Sequence, residues 1–207
     1  MPGTQPLGLV NIRDPLLYIP PSPGPGHSPG LVVALHGAGG EAAGGLALLL
    51  PWADRFNLAL LAPASRRTTW DAIGGGYGPD VDLIDAALER VFALVALAPE
   101  RIGIAGFSDG ASYALGLGLA NGGLFRRIIA FSPGFIPSAG RVGKPKIFVS
   151  HGSQDAVLPV AATSRRIVPI LRRDGYDVTY REFDGPHAVP REISGEAAAW
   201  LGWDAPG

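Results

Sequence analysis

The chain of 207 residues contains no cysteine. Disulfides, thiolate nucleophiles and cysteine-ligated zinc or iron–sulfur centres are excluded together. Charge is also scarce: Asp, Glu, Lys and Arg make up 17% of the chain and leave a formal net charge of −1. That balance offers no electrostatic field for nucleic acid or an anionic membrane, so neither is expected as a partner. No apolar run is long enough to span a bilayer, and no basic segment followed by an apolar one opens the chain. A soluble cytoplasmic protein is therefore the expectation. The four histidines are scattered without an H-E-x-x-H pattern, so no metal site and no cofactor are expected.

Glycine and proline are abundant, with 30 and 20 copies, and 47% of residues are hydrophobic. This suits one globular domain over residues 1–207 with a sizeable core. Residues 1–30 are rich in Pro and Gly and offer one candidate edge strand, Leu16-Leu17-Tyr18-Ile19. Beyond them, uninterrupted apolar runs begin at Leu31, Leu58, Ile102, Ile128 and Ile147, and a mixed run lies at 177–183. Helical periods separate them, most clearly at Val81, Ile84, Leu88, Val91, Phe92 and Val95, with Pro79 at the start and Pro99 beyond the end. Strands apolar throughout and alternating with helices predict an α/β fold around a mostly parallel sheet. Asp80, Asp82 and Asp85 read as helix-start and solvent-face charges.

The stretch Gly106-Phe107-Ser108-Asp109-Gly110 follows the run at Ile102 and precedes a helical segment. A strand, G-x-S-x-G and a helix make a nucleophile elbow, where the sharp reversal admits only glycine on either side and leaves the Ser Oγ accessible. In parallel sheets ligands bind at the carboxyl ends of the strands. There stand His36-Gly37-Ala38, Ser108, His151-Gly152-Ser153-Gln154-Asp155 and Asp184-Gly185-Pro186-His187. Ser, Asp and His occur in the chain order of an α/β-hydrolase. Ser108 is the candidate nucleophile, His187 its base, and Asp155 the carboxylate that orients the imidazole, with Asp184 as competitor. Oxyanion donors are expected from the backbone N–H of Asp109 and of Ala38 or Gly39, and the Asp109 side chain is expected to turn into the first turn of its helix. His36 and His151 read as hydrogen-bonded structural residues.

These residues carry a family likeness. Leu35-His36-Gly37-Ala38-Gly39, the elbow, His151 to Pro159 and Gly185-Pro186-His187 resemble the α/β-hydrolase superfamily, and within it the serine esterases grouped as the phospholipase/carboxylesterase family. The likeness runs from about residue 31 to 190. It implies a Ser-Asp-His triad, an oxyanion donor on the His-Gly-x loop, a small-molecule ester as substrate and no cofactor. Two departures stand out: Pro186 replaces a frequent Gly, and the first strands of the superfamily sheet are poorly marked, so a sheet short at that edge is expected. Thioester or lactone hydrolysis would use the same residues.

A rival from another class is a nicotinamide-dependent oxidoreductase, since Gly37-Ala38-Gly39-Gly40-Glu41-Ala42 matches a dinucleotide fingerprint and Arg66 and Arg67 stand after the next strand. It leaves Ser108, Asp155 and His187 unexplained. Finally, residues 134–145 hold two prolines and three glycines without a helical period, so no amphipathic lid is expected. An open pocket walled by Phe107, by Trp70 or Tyr77, and by Phe135 or Ile136 should favour short acyl chains.

Overall fold

The computed structural model describes residues 1–22, 24 and 27–203. An eight-stranded sheet runs in the order β1-β2-β4-β3-β5-β6-β7-β8. The strands are β1 (Gly3–Pro6), β2 (Leu16–Ile19), β3 (Gly30–Leu35), β4 (Leu58–Ala62), β5 (Ile102–Phe107), β6 (Arg127–Phe131), β7 (Lys146–Gly152) and β8 (Val178–Phe183). All pairs from β4 to β8 are parallel, whereas β1–β2 and β2–β4 are antiparallel. The fold is that of an α/β-hydrolase. The sheet is not short at its first edge: Leu16–Ile19 is an inner strand, and Gly3–Pro6 pairs outside it. The burial of β1 alternates between half-buried and exposed, as an outermost strand with one wet face should.

Every residue of β3 and β4 is buried, which explains their unbroken apolar runs. The two faces of the sheet are nevertheless distinct. Leu31, Val33, Ile104, Ile128 and Val149 face α3 (Pro79–Leu94), α4 (Asp109–Ala120) and α5 (Ser164–Arg173). Val32, Leu60, Ala105, Ile129 and Phe148 face α1 (Ala42–Ala47), α2 (Leu50–Ala53) and α6 (Arg191–Trp200). Each fully buried aliphatic side chain of this kind contributes about 1.5–3 kcal/mol relative to exposure. Between β3 and β4 the helical chain is broken at Leu48–Leu49, so that Pro51 falls in the first turn of α2, where its missing N–H costs nothing. No helix among the described residues is long and apolar enough to cross a membrane.

Asp80 departs from the reading as a solvent-face charge. It is 2% exposed and accepts the N–H groups of Arg66 and Asp71, at 2.6 and 2.8 Å. Asp71 answers by accepting the N–H groups of Gly78 and Asp80 and the Tyr113 hydroxyl. The two carboxylates fasten the long connection between β4 and α3, which includes a 3-10 turn at Asp71–Gly74.

Candidate active site

Ser108 sits between β5 and α4 with φ 57° and ψ −120°, a backbone conformation costly for any residue but Gly. The glycines of the motif make that turn possible. A Cβ on Gly106 would overlap the carbonyl of Gly110, and one on Gly110 would overlap the carbonyls of Leu35 and His36. The start of α4 thus packs directly on the end of β3, and the elbow is held by the Ser108 N–H donating to the Phe131 carbonyl at 2.9 Å.

Asp155 follows β7 and His187 follows β8, two neighbouring parallel strands. Gly152 lets their loops meet, since a Cβ there would overlap the carbonyls of Gly185 and Pro186. Gln154 N–H also donates to Gly185 at 2.9 Å. The result is one line of hydrogen bonds. His187 Nδ1 lies 2.5 Å from Asp155 Oδ2, and His187 Nε2 lies 2.9 Å from Ser108 Oγ. Asp155 can only accept when ionised, so Nδ1 carries the proton and Nε2 is free to accept from the Ser hydroxyl. Asp184 is exposed and accepts from Gln154 and Ser153, away from the imidazole.

The Asp155 side chain is fully buried. Burial raises its carboxyl, but hydrogen bonds from Leu158 N–H, His187 and Val157 N–H together outweigh this and hold it below the ordinary 3.8. The sequence reading missed a further neighbour. His151 Nε2 lies 3.1 Å from Asp155 Oδ2 and 2.8 Å from the Leu158 carbonyl, while its Nδ1 lies 2.7 Å from Ser164 Oγ. A carbonyl only accepts, so His151 carries its proton on Nε2 and presents it to the same carboxylate oxygen as His187. The short sequence separation of His151 and Asp155 is the signal: the turn after β7 brings residue i+4 back onto residue i.

The loop after β3 lies against Ser108, for a Cβ on Gly37 would be 3.4 Å from that of Ser108. The N–H groups of Ala38 and Asp109 donate to no acceptor among the described residues. Gly39 is corrected as a candidate donor, because its N–H is taken by the Thr68 carbonyl at 2.6 Å. Asp109 turns its carboxylate to the Thr69 hydroxyl at 2.6 Å rather than into its own helix. Arg13 bridges both loops from the segment between β1 and β2, donating from Nε to Ser65 O at 2.8 Å and from Nη2 to Gly40 O at 2.6 Å. His36 completes the clamp by accepting the Ser65 N–H on Nε2 at 3.0 Å, with Nδ1 2.6 Å from Gly37 O.

Of the expected wall residues, Phe107 stacks near His187 with ring centroids 4.7 Å apart. Trp70 is corrected: it is 1% exposed, wedged against His36 and Tyr113, and donates to His36 O, so it supports the loop from beneath rather than walling an open pocket. Tyr77, Phe135 and Ile136 line a cleft of about 240 Å³ of their own. Gly134 and Phe135 N–H donate to Ser112 Oγ, on the helix that follows Ser108. Among the described residues no three metal-ligating side chains converge.

Burial is the main cause holding both His36 and His151 below the ordinary 6.5. The unfolded chain takes up those protons first. Stability from the neutral rings is therefore complete above pH 6.5 and is lost as pH falls through the lower folded values. Each histidine then removes at most about 1.4 kcal/mol per pH unit. Melting temperature should fall by several degrees between about pH 6.5 and 5, as followed by circular dichroism. A flat or rising melting temperature there would remove the neutral-ring assignment.

A family model described as phospholipase/carboxylesterase matches residues 81–195. The structure of esterase PE8 superposes with a TM-score of 0.74 at 27% identity, over 91% of this chain and 97% of that one. A phospholipase/carboxylesterase from Dyadobacter fermentans gives 0.64 at 25% identity, over 89% and 95%. The Bacillus cereus carboxylesterase gives 0.69 at 17%, over 91% and 92%, and shares the fold. No curated protein matches the chain by sequence.

Proposed function

The chain belongs to the phospholipase/carboxylesterase family and is a hydrolase acting on ester bonds, and on that premise we propose that it cleaves short-chain or small esters through an acyl-enzyme on Ser108. The observation that carries this reading is the unbroken line from Asp155 through His187 to Ser108 Oγ, at 2.5 and 2.9 Å. A Ser hydroxyl is a poor nucleophile until a neutral imidazole accepts its proton in the attack. His187 takes that proton on Nε2, and the buried Asp155 carboxylate stabilises the imidazolium that forms. In this reading the free N–H groups of Ala38 and Asp109 receive the tetrahedral oxyanion. His187 then returns the proton to the departing alcohol. A water activated by the same imidazole hydrolyses the acyl-enzyme.

Short acyl groups follow from the segment between β6 and β7. Residues 133–145 form no helix, and Phe135 is 42% exposed. Each acyl methylene adds about 0.8 kcal/mol only while apolar wall remains to bury it. A series of 4-nitrophenyl esters should therefore reach its highest kcat/KM between acetyl and about hexanoyl. No jump in rate should occur at the solubility limit. A maximum at dodecanoyl or beyond, or interfacial activation, would remove the open-site reading, and absence of turnover on every ester would remove the esterase reading itself.

A further inference from the structure

Resting on the esterase reading, we propose that the preferred ester carries an anionic oxyacid group, carboxylate or phosphate, gripped by Arg66 and Arg67 beside the nucleophile. A cleft of about 550 Å³ opens along the connection after β4, lined by Arg66, Arg67, Thr68, Thr69 and Asp71 among others. Two bonds fix its place next to the reacting centre. Thr69 Oγ1 donates to Asp109, the residue after Ser108, and Thr68 O accepts from Gly39, in the loop that packs on Ser108. The two arginines stand immediately before these threonines in the chain and line the same cleft.

Both side chains are exposed. Among the described residues neither guanidinium makes an ion pair, hydrogen bond or ring contact, whereas Arg165 and Arg181, equally on the surface, pair with Glu182 and Glu196. The hydrogen-bonding oxygens of the acids nearby are taken by other groups, and only Asp80, which also lines the cleft, acts on Arg66, through space. Asp80 is spent on the N–H groups of Arg66 and Asp71, Asp71 on those of Gly78 and Asp80 and on Tyr113, and Asp109 on Thr69. Their charge offsets the long-range field, so selectivity comes from geometry. Two planar guanidinium forks with free N–H donors match the paired oxygens of a carboxylate or phosphate. The same turn is kept rigid from within, because Ser65 Oγ donates to Arg67 O at 2.7 Å and Asp80 holds the Arg66 N–H. A rigid backbone under free charged tips is what a specificity site requires.

The test compares 4-nitrophenyl hydrogen glutarate with 4-nitrophenyl pentanoate, acyl chains of one length that differ in a terminal carboxylate. The double substitution R66Q/R67Q should lower the glutarate-to-pentanoate ratio of kcat/KM about tenfold or more, mainly through KM on the anionic ester. Raising KCl to about 0.5 M should erode the ratio in the unsubstituted enzyme and not in the double variant. A ratio unmoved by R66Q/R67Q overturns the proposal. A second arm needs no turnover: S108A is titrated calorimetrically with glutarate and with inorganic phosphate. Tighter glutarate assigns the carboxylate, and tighter phosphate assigns the phosphate. Binding of neither, or binding that survives R66Q/R67Q, overturns the anion site whatever the ester kinetics show. Failure of the unsubstituted enzyme on both esters overturns the esterase reading instead, and the titration still decides the arginines.

Discussion

Ser108→Ala is expected to lower kcat/KM on 4-nitrophenyl acetate by roughly 10⁴- to 10⁶-fold while leaving the melting temperature within a few degrees. The expectation follows from what the side chain does and does not touch. Its Oγ makes one hydrogen bond, to His187 Nε2 at 2.9 Å. The backbone at φ 57° is held by Gly106 and Gly110 and by the bond to Phe131, none of which depends on the hydroxyl. Removing Oγ therefore deletes the proposed attacking atom and spares the turn. What activity remains would come from the oxyanion donors acting on a water, which is the origin of the residual rate in enzymes of this design. A variant that kept more than about a hundredth of the original rate would place the nucleophile elsewhere.

Asp155→Asn is expected to cost roughly 10⁴-fold in kcat, and the geometry says why so conservative a change is so damaging. Asp155 Oδ1 accepts the N–H groups of Val157 and Leu158 at 2.9 and 2.7 Å. An asparagine must keep its carbonyl oxygen there, so its NH₂ is forced into the place of Oδ2. That group then faces the protonated nitrogens of both His187 and His151. His187 can meet a donor only by moving its proton to Nε2, where it blocks acceptance from Ser108. Asp184→Asn, whose carboxylate meets only Gln154 and Ser153 on the surface, is expected to change kcat by less than about threefold. Comparable losses in the two variants, measured by steady-state kinetics, would move the acid role to Asp184.

The parts of the fold legible in the sequence were those fixed by burial. β3, β4 and the elbow strand are buried nearly throughout, and their apolar runs leave little choice of structure. β1 was not legible, because in Gly-Thr-Gln-Pro only Thr4 favours a strand and no large apolar side chain is present, so it forms only by pairing with Leu16–Ile19. At the candidate site, chemistry and chain order alone point to Ser108, Asp155 and His187, which the fold brings into one hydrogen-bonded line. Ala38 and Gly39 could not be separated, since what distinguishes them is the Thr68 carbonyl, delivered by a loop far along the chain. Asp80 misled for a related reason. An acidic residue in the first turn of α3 satisfies the helix dipole wherever it points, and only the incoming Arg66 and Asp71 N–H groups turn it inward. Arg13 carried no local signal at all, as both of its acceptors are carbonyls of distant loops.

The strand order has a kinetic meaning as well. Strands β3 and β5 are neighbours, yet Leu31 pairs with Ile102, and β4 and α3 must be laid aside before the two can meet. Because β3 delivers the loop of Ala38 and β5 delivers Ser108, the two proposed catalytic groups come together only when this long-range pair closes. His187 arrives through β8, at the far side of the sheet, by another parallel pairing. Parallel, sequence-distant pairings of this kind are slow, since the entropy of the closed loop is lost before contacts compensate for it. No fragment with local structure alone can hold the three side chains together. The proposed site is thus a property of the completed sheet, and in a collapsed or half-paired chain Ser108, Asp155 and His187 stay apart until the last strands have found their neighbours.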